Sequence, residues 1–367
     1  MSLQEEIDVK RAEIKTDSYS MSIGELINLY NDKEIDIHPE FQRFFRWSTT
    51  QKTKLIESIL LGIPLPPIFV SQRQDGIWDV VDGLQRLSTI FQFVGILKDE
   101  NNSIVDPLVL EGTDDLPSLK SKIWGGEDQS ENDITPAQRL AIKRSKIDVN
   151  IILKESDENS KYELFQRLNT GGSPLSDQEV RNCLLIMENK KVFTWLKDLS
   201  RDNNFRESIV LTDRSYDEQY DIELALRFII FRTVEDGQLG NIGDLNEYLN
   251  KRMLQIARDQ EFDYEGEGEK FRRTFELINK YYGSDAFRKF DTDKNKFVGG
   301  FLVTAFEVIA IGVGSDPFSL PDEEQYYQQK ITELWSDADF ASRTSSGVRA
   351  STRIPRTIGL GRRLYQV

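Results

Sequence analysis

An apolar run, Ile77-Trp78-Asp79-Val80-Val81, passes directly into Asp82-Gly83-Leu84-Gln85-Arg86, and the residues after it, Leu87 to Val94, carry apolar side chains at helical spacing. The run alternates and is rich in aromatic and β-branched residues, so it reads as a strand. The spacing beyond it predicts a helix. A carboxylate, a glycine, an amide and a guanidinium therefore meet where a strand turns into a helix. The glycine lets the backbone come close to a ligand, and the helix start offers free N–H groups to an anion. The arginine can hold a phosphate through two parallel hydrogen bonds. The bland alternative is a solvated strand-to-helix turn, since short motifs also occur by chance.

Two further segments bear on that choice. His38-Pro39-Glu40-Phe41-Gln42-Arg43-Phe44-Phe45-Arg46-Trp47 packs polar and aromatic groups tightly and leads into a helix from Thr50 to Leu61. Phe165-Gln166-Arg167-Leu168-Asn169-Thr170-Gly171-Gly172-Ser173-Pro174-Leu175-Ser176 is followed by Glu179 and Arg181-Asn182. With all three in this order, residues 15 to 190 resemble the N-terminal domain of the GmrSD-type restriction enzymes, a ParB/sulfiredoxin-like family. Its signature is a strand ending in Asp-Gly-Gln-Gln-Arg, preceded by a Phe-Gln-Arg-x-x-x-Trp-like segment and followed by Asn-x-Gly-x-Pro-Leu and Glu-x-Arg-Asn. Leu84 stands where the first glutamine is usual, so any contact made by that side chain is missing here.

The resemblance implies a nucleoside triphosphate site. Arg86 would clamp phosphate oxygens, and Gly83 with the amides after it would cradle them. Asp82 would hold Mg²⁺ or orient the attacking water. Gln85 would bind a phosphate or the nucleophile, and Arg43 would add a second positive charge. Asn169, Gly171 and Gly172 would close the pocket. Competing structural roles exist: Arg43 could pair with Glu40 or Asp36, and Asn169 could cap the helix before the glycines. Two other classes stay open. One is a protein that binds nucleotide or modified DNA without turnover and signals to a partner. The other is a ParB-like DNA-binding module. By resemblance, the chain would be the sensor or regulatory half of a bacterial anti-phage or restriction system, acting on a separate effector nuclease.

Composition narrows the setting. The chain has 367 residues, enough for two domains, with 38% hydrophobic and 30% charged residues. No apolar run approaches the ~20 residues that span a bilayer. The opening residues, Met1-Ser2-Leu3-Gln4-Glu5-Glu6, lack the basic start and apolar stretch of a signal peptide. The single cysteine, Cys183, sits on an apolar helix face and reads as a core thiol, which points to a reducing cytoplasm. A net charge of −15 argues against a surface built wholly for nucleic acid. Residues 341–367, however, hold Arg343, Arg349, Arg353, Arg356, Arg362 and Arg363 and no acidic residue. The apolar face of Ile354, Ile358, Leu360 and Leu364 favours docking of this segment over a free tail. Its arginines could then face phosphate of nucleotide or DNA.

Periodicity orders the rest. Helices are expected at 22–30, 51–61, 136–143, 160–169 and 177–187, and strands at 35–37, 68–70 and 146–153. Gln74-Asp75-Gly76 should turn a hairpin. The expected fold is α/β (α+β), a ParB/sulfiredoxin-like domain with a small mixed sheet over 15–190. An all-helical domain should follow over 191–340, with helical spacing at 191–199, 217–233, 242–257, 267–282, 297–311 and 326–334, then the basic segment 341–367. Asp291, Asp293 and Asn295 imitate the start of a calcium loop, but Lys296 and Leu302 stand where glycine and glutamate are required. Glu265-Gly266-Glu267-Gly268-Glu269 reads as a solvated loop and helix start. The lone histidine, His38, excludes a zinc or HNH-type nuclease site built on paired histidines within these residues.

Overall fold

Five short strands make the sheet of the first unit. In the computed structural model, residues 2–13, 15–37, 47–99, 101–126, 130–156, 176–337, 340 and 349–366 are described. The chain divides into Met1–Pro174 and Leu175–Val367. Helix α1 (Leu3–Glu13) precedes β1 (Thr16–Ser22), neither of which the periodicity announces. The sheet continues with β2 (Ile35–Asp36), β3 (Ile68–Gln72), β4 (Trp78–Asp82) and β5 (Lys146–Ile152), in the order β1-β5-β3-β4-β2. β1 and β5 are antiparallel, β5 and β3 parallel, β3 and β4 antiparallel, and β4 and β2 parallel, so the sheet is mixed as expected. Its centre is apolar: Ile68, Val70, Val80, Val149 and Ile151 are buried. The β3–β4 hairpin turns through Gly76 at φ 91°, a left-handed conformation that suits glycine. Its register slips between Phe69 and Val70, the bulge falling where Phe69 faces Asp82.

Helices α2 (Ile23–Asn31), α3 (Thr49–Leu61), α4 (Leu84–Val94) and α5 (Pro136–Arg144) complete the first unit. Their starts are legible in the sequence. Ser22 Oγ accepts from Glu25 N, and Ser48/Gln51 and Thr135/Gln138 form full capping boxes.

The second unit is helical: α6 (Asp177–Ser200), α7 (Asn203–Ile209), α8 (Asp213–Asp217), α9 (Tyr220–Thr233), α10 (Leu245–Arg258), α11 (Tyr264–Tyr282), α12 (Val303–Ser315), α13 (Glu324–Ser336) and α14 (Ala350–Leu364). The sequence divides α6 in two because Asn189 breaks it with φ −157° and ψ 92°. The domain boundary expected near 190 lies within α6, whereas the chain divides between Pro174 and Leu175. The expectation of an all-helical domain needs correction. β6 (Lys289–Asp291) pairs antiparallel with β7 (Lys296–Val298). Phe290 and Phe297 face each other across the pair with ring centroids 5.0 Å apart, a contact the helical spacing from Phe297 could not reveal. The calcium-like stretch is the turn of this hairpin, where Asp291 Oδ1 accepts from Lys294 N at 3.0 Å. Glu267 also departs from its solvated reading: it is buried and ion-paired with Arg232. The basic C-terminal segment is docked from Ala350 onward, with Ile354, Ile358 and Tyr365 buried.

Candidate functional site

The corner at the end of β4 is set by one residue. Gly83 holds φ 96° and ψ 8° as the N-cap of α4, and a Cβ there would lie 2.4 Å from Ile68 Cγ2. Both the backbone angle and the close approach of Ile68 require glycine. Because Gly83 has no side chain, no side-chain hydrogen bond caps the first turn of α4. The first amides of a helix have no acceptor within the helix itself, and the helix dipole adds a partial positive charge there.

Two side chains flank the open turn. Arg86 Nη2 donates to Asp82 Oδ2 at 2.9 Å and to the Pro67 carbonyl at 3.0 Å. The arginine side chain is 15% exposed and Asp82 35%. Arg86 Nε is buried with no hydrogen-bond partner among the described residues. Gln85 Oε1 accepts from the Trp47 backbone N–H at 3.2 Å. Trp47 closes the aromatic segment that begins at His38, so two of the three sequence motifs meet at Gln85. Leu84, which stands where the usual glutamine is absent, is buried in the core.

Asp82, Gly83, Gln85 and Arg86 are therefore together. Arg43, Asn169, Gly171 and Gly172 lie outside the described residues, as does His38. One polar cluster nearby escaped the sequence reading. Arg73 bridges Asp79, 3% exposed in β4, and Asp36, its register partner in β2, with an Nη2-to-Asp36 distance of 2.8 Å. Burial lowers the arginine's proton affinity, but the two carboxylates more than reverse this and hold it charged. The polar Asp79 between Trp78 and Val80 is the signal that could have revealed it.

Among the described residues no group of three or more histidine, cysteine, aspartate or glutamate side chains is placed to hold a metal ion. A magnesium ion held mainly by phosphate oxygens needs only one or two protein carboxylates. Asp82 fits that smaller role, since Arg86 engages only its Oδ2.

The Glu179-x-Arg181-Asn182 motif belongs to the second unit. Glu179 caps α6 reciprocally with Ser176, and burial pushes its carboxyl above the usual range. Arg181 is fully buried and paired with Glu223. Glu223 in turn pairs with Arg227 at 2.6 Å, Arg227 approaches Glu307 at 3.9 Å, and Arg353 binds Glu307 through two hydrogen bonds of 3.0 and 2.8 Å. This ladder of alternating charge explains Arg181 as a structural residue. Its ion-pair partner Glu223 comes from another helix, so the pair carries no local sequence signal. Cys183 beside it is a buried free thiol, its proton affinity raised by desolvation.

With this geometry in view, residues 23–186 are found to match the family model described as GmrSD restriction endonuclease, N-terminal domain. The match spans the Asp82–Arg86 corner and the start of α6. No curated protein matches the chain. No helix among the described residues is long and apolar enough to cross a membrane.

Proposed function

We propose, with the GmrSD-type N-terminal domain at residues 23–186 as premise, that this chain is a cytoplasmic component of a restriction-type, anti-phage system whose Asp82–Arg86 corner binds and hydrolyses a nucleoside triphosphate. In this reading its sheet is of the ParB/sulfiredoxin-like kind. The observation that supports it best is the uncapped first turn of α4 with Arg86 beside it. A helix start that no side chain caps and a guanidinium meet at one corner, an arrangement suited to phosphate. Arg86 and the amides of Leu84 and Gln85 would bind the terminal phosphates. Gln85, steadied by Trp47, and Asp82 would orient water toward the γ-phosphorus. The bond to the β,γ-bridging oxygen breaks, and diphosphate nucleotide and inorganic phosphate leave. Magnesium, when bound with the nucleotide, would neutralise phosphate charge, and Asp82 would be its protein ligand. Arg43, Asn169, Gly171 and Gly172 are proposed to complete the pocket.

A second reading has its own support. Arg86 is already held by Asp82 and the Pro67 carbonyl, which suits a fixed binding group better than one that moves during a reaction. The chain would then be a nucleotide- or DNA-binding ParB-like module that regulates a separate effector nuclease. Phosphate release with each triphosphate and Mg²⁺ separates the two readings. Turnover abolished by Asp82→Ala supports the first. Saturable nucleotide binding without release supports the second, and a salt-dependent gel shift with duplex DNA in the absence of nucleotide binding supports its DNA-binding form.

A further inference from the structure

A cavity of about 490 Å³ opens in the second unit, far in sequence from Asp82–Arg86 and independent of it. Its volume lies within the range of small-ligand sites. Phe340, Pro355 and Leu360 supply apolar wall, and Thr304, Arg356 and Arg363 supply polar groups. Arg356 and Arg363 are exposed on α14, and neither has an ion-pair partner among the described residues. Seven residues of helix set them ~10 Å apart along one face. The other arginines of the helix are used by the fold: Arg353 binds Glu307, and Arg362 donates to the carbonyls of Phe231 and Val234 at 2.8 and 2.7 Å.

A second observation points to a ligand. Thr304 is 7% exposed, lines this cavity and keeps a hydroxyl with no hydrogen-bond partner among the described residues. Buried hydroxyls are normally satisfied, so this one is open to a partner that the described residues do not supply. Thr304 also lies in the first turn of α12, whose N-cap, Leu302, makes no side-chain cap. A helix N-terminus, a hydroxyl and two arginines, none of these side chains with a polar partner among the described residues, belong to the lining of one cavity. Asp337 stands at the same cavity, with Oδ1 accepting from Phe340 N at 2.8 Å. An acidic group there disfavours a bare anion and suits a ligand that also carries N–H or O–H donors.

We infer that this cavity is a nucleotide-binding site, in which Arg356, Arg363 and the start of α12 hold phosphate while the Phe340–Pro355–Leu360 wall and Asp337 receive the base and sugar. The nucleotide is either free or one unit of a single strand. Removing residues 341–367 would not test this, because α14 is part of the core. Point variants do: Arg356→Gln with Arg363→Gln, and separately Thr304→Val, each with an unchanged melting temperature as control.

Calorimetric titration of the full chain with a mononucleotide, a short single-stranded oligonucleotide and inorganic phosphate reads the result. The arginine double variant should lose at least tenfold in nucleotide or oligonucleotide affinity, with Thr304→Val reduced in the same direction. Arg86→Lys should leave this binding intact, which separates it from the corner in the first unit. Binding of the oligonucleotide alone assigns the site to nucleic acid, and the double variant should then flatten the log–log salt slope by about 1.4. Mononucleotide binding assigns it to free nucleotide. Phosphate binding as tightly as either, or affinities unchanged in the double variant, would overturn the proposal.

Discussion

The Arg86 guanidinium donates to the Asp82 carboxylate at 2.9 Å across one turn of chain, so the group proposed to grip phosphate already has an anionic partner. The pair is partly exposed, and such pairs contribute only about 0–1 kcal/mol. A triphosphate carrying several charges can therefore compete for the guanidinium.

From this follows a contrast between two variants. Arg86→Lys keeps the charge but loses the planar fork, and should weaken triphosphate binding or turnover at least tenfold, about 1.4 kcal/mol. Asp82→Ala frees Arg86, so metal-free nucleotide affinity should hold or rise while metal dependence and most turnover disappear. Titration calorimetry and phosphate release distinguish these outcomes. A strong fall in melting temperature for Arg86→Lys, with normal nucleotide handling, would make the guanidinium a structural partner of Asp82 and Pro67.

The corner was legible because its determinants are local. Alternation ends at Asp82, helical spacing begins after Gly83, and one glycine joins them. The capping pairs of Ser22, Ser48, Thr135 and Ser176 are local in the same sense, each cap and its partner lying three residues apart. Contacts set by strand register or helix packing were not legible. Arg73 meets Asp36 only because β2 lies beside β4. The hairpin at Phe290 and Phe297 overrode a helical pattern. The C-terminal arginines look alike in sequence, yet Arg353 and Arg362 serve the fold while Arg356 and Arg363 face outward, a division that only the packed position of α14 decides.

That packing predicts opposite outcomes for one substitution made two residues apart. A Cβ on Gly361 would lie 2.2 Å from the Val308 carbonyl oxygen, and one on Gly312 would lie 2.5 Å from that of Gly361. At Gly361 the α12–α14 crossing is thus a backbone-to-backbone contact with no side chain to yield. Gly361→Ala should cost at least about 1–3 kcal/mol. Gly359→Ala meets only the Arg363 Nη1 atom at 3.5 Å and should be neutral or stabilising by up to ~1 kcal/mol through helix propensity. Urea unfolding midpoints read the difference, and equal shifts for the two alanines would show that the helices do not cross this closely.

Acid sensitivity has an identifiable contributor on the surface. Asp322 accepts from Lys280 Nζ at 2.8 Å, Tyr281 Oη at 2.5 Å and Arg273 Nη2 at 3.4 Å. The Lys280 bond first, then that of Tyr281, holds its carboxyl down at about 2. A depressed folded value means the ionised group favours the folded state. Its contribution is complete above the unfolded value near 4 and is lost as pH falls toward about 2. The stability gap between wild type and Asp322→Asn should be constant from pH 5 to 8 and close between about pH 4 and 2. A gap that persists unchanged at the acid end of that window would assign the residue's role to something other than its charge.

The buried ladder in the second unit gives the strongest stability prediction. Arg181 donates to Gln178 Oε1 at 2.7 Å and Asn246 Oδ1 at 3.2 Å and pairs with Glu223, whose other oxygen takes Arg227. Desolvation opposes the charge on Arg227, but Glu223, Tyr220 and Glu307 together outweigh it and keep the guanidinium protonated. Removing one member leaves an opposite charge buried with too few partners, which costs about 3–5 kcal/mol. Arg181→Met and Glu223→Gln should each approach that loss. The double variant should cost clearly less than their sum, because it removes both charges of one pair. Arg353→Gln acts at the far end, on Glu307, and should couple weakly to Arg181→Met because their direct partners differ. A double-mutant cycle on unfolding free energies measures all three relations. Additivity between Arg181→Met and Glu223→Gln would mean that the two charges do not depend on each other, and the Glu-x-Arg-Asn motif would then need a role outside the core.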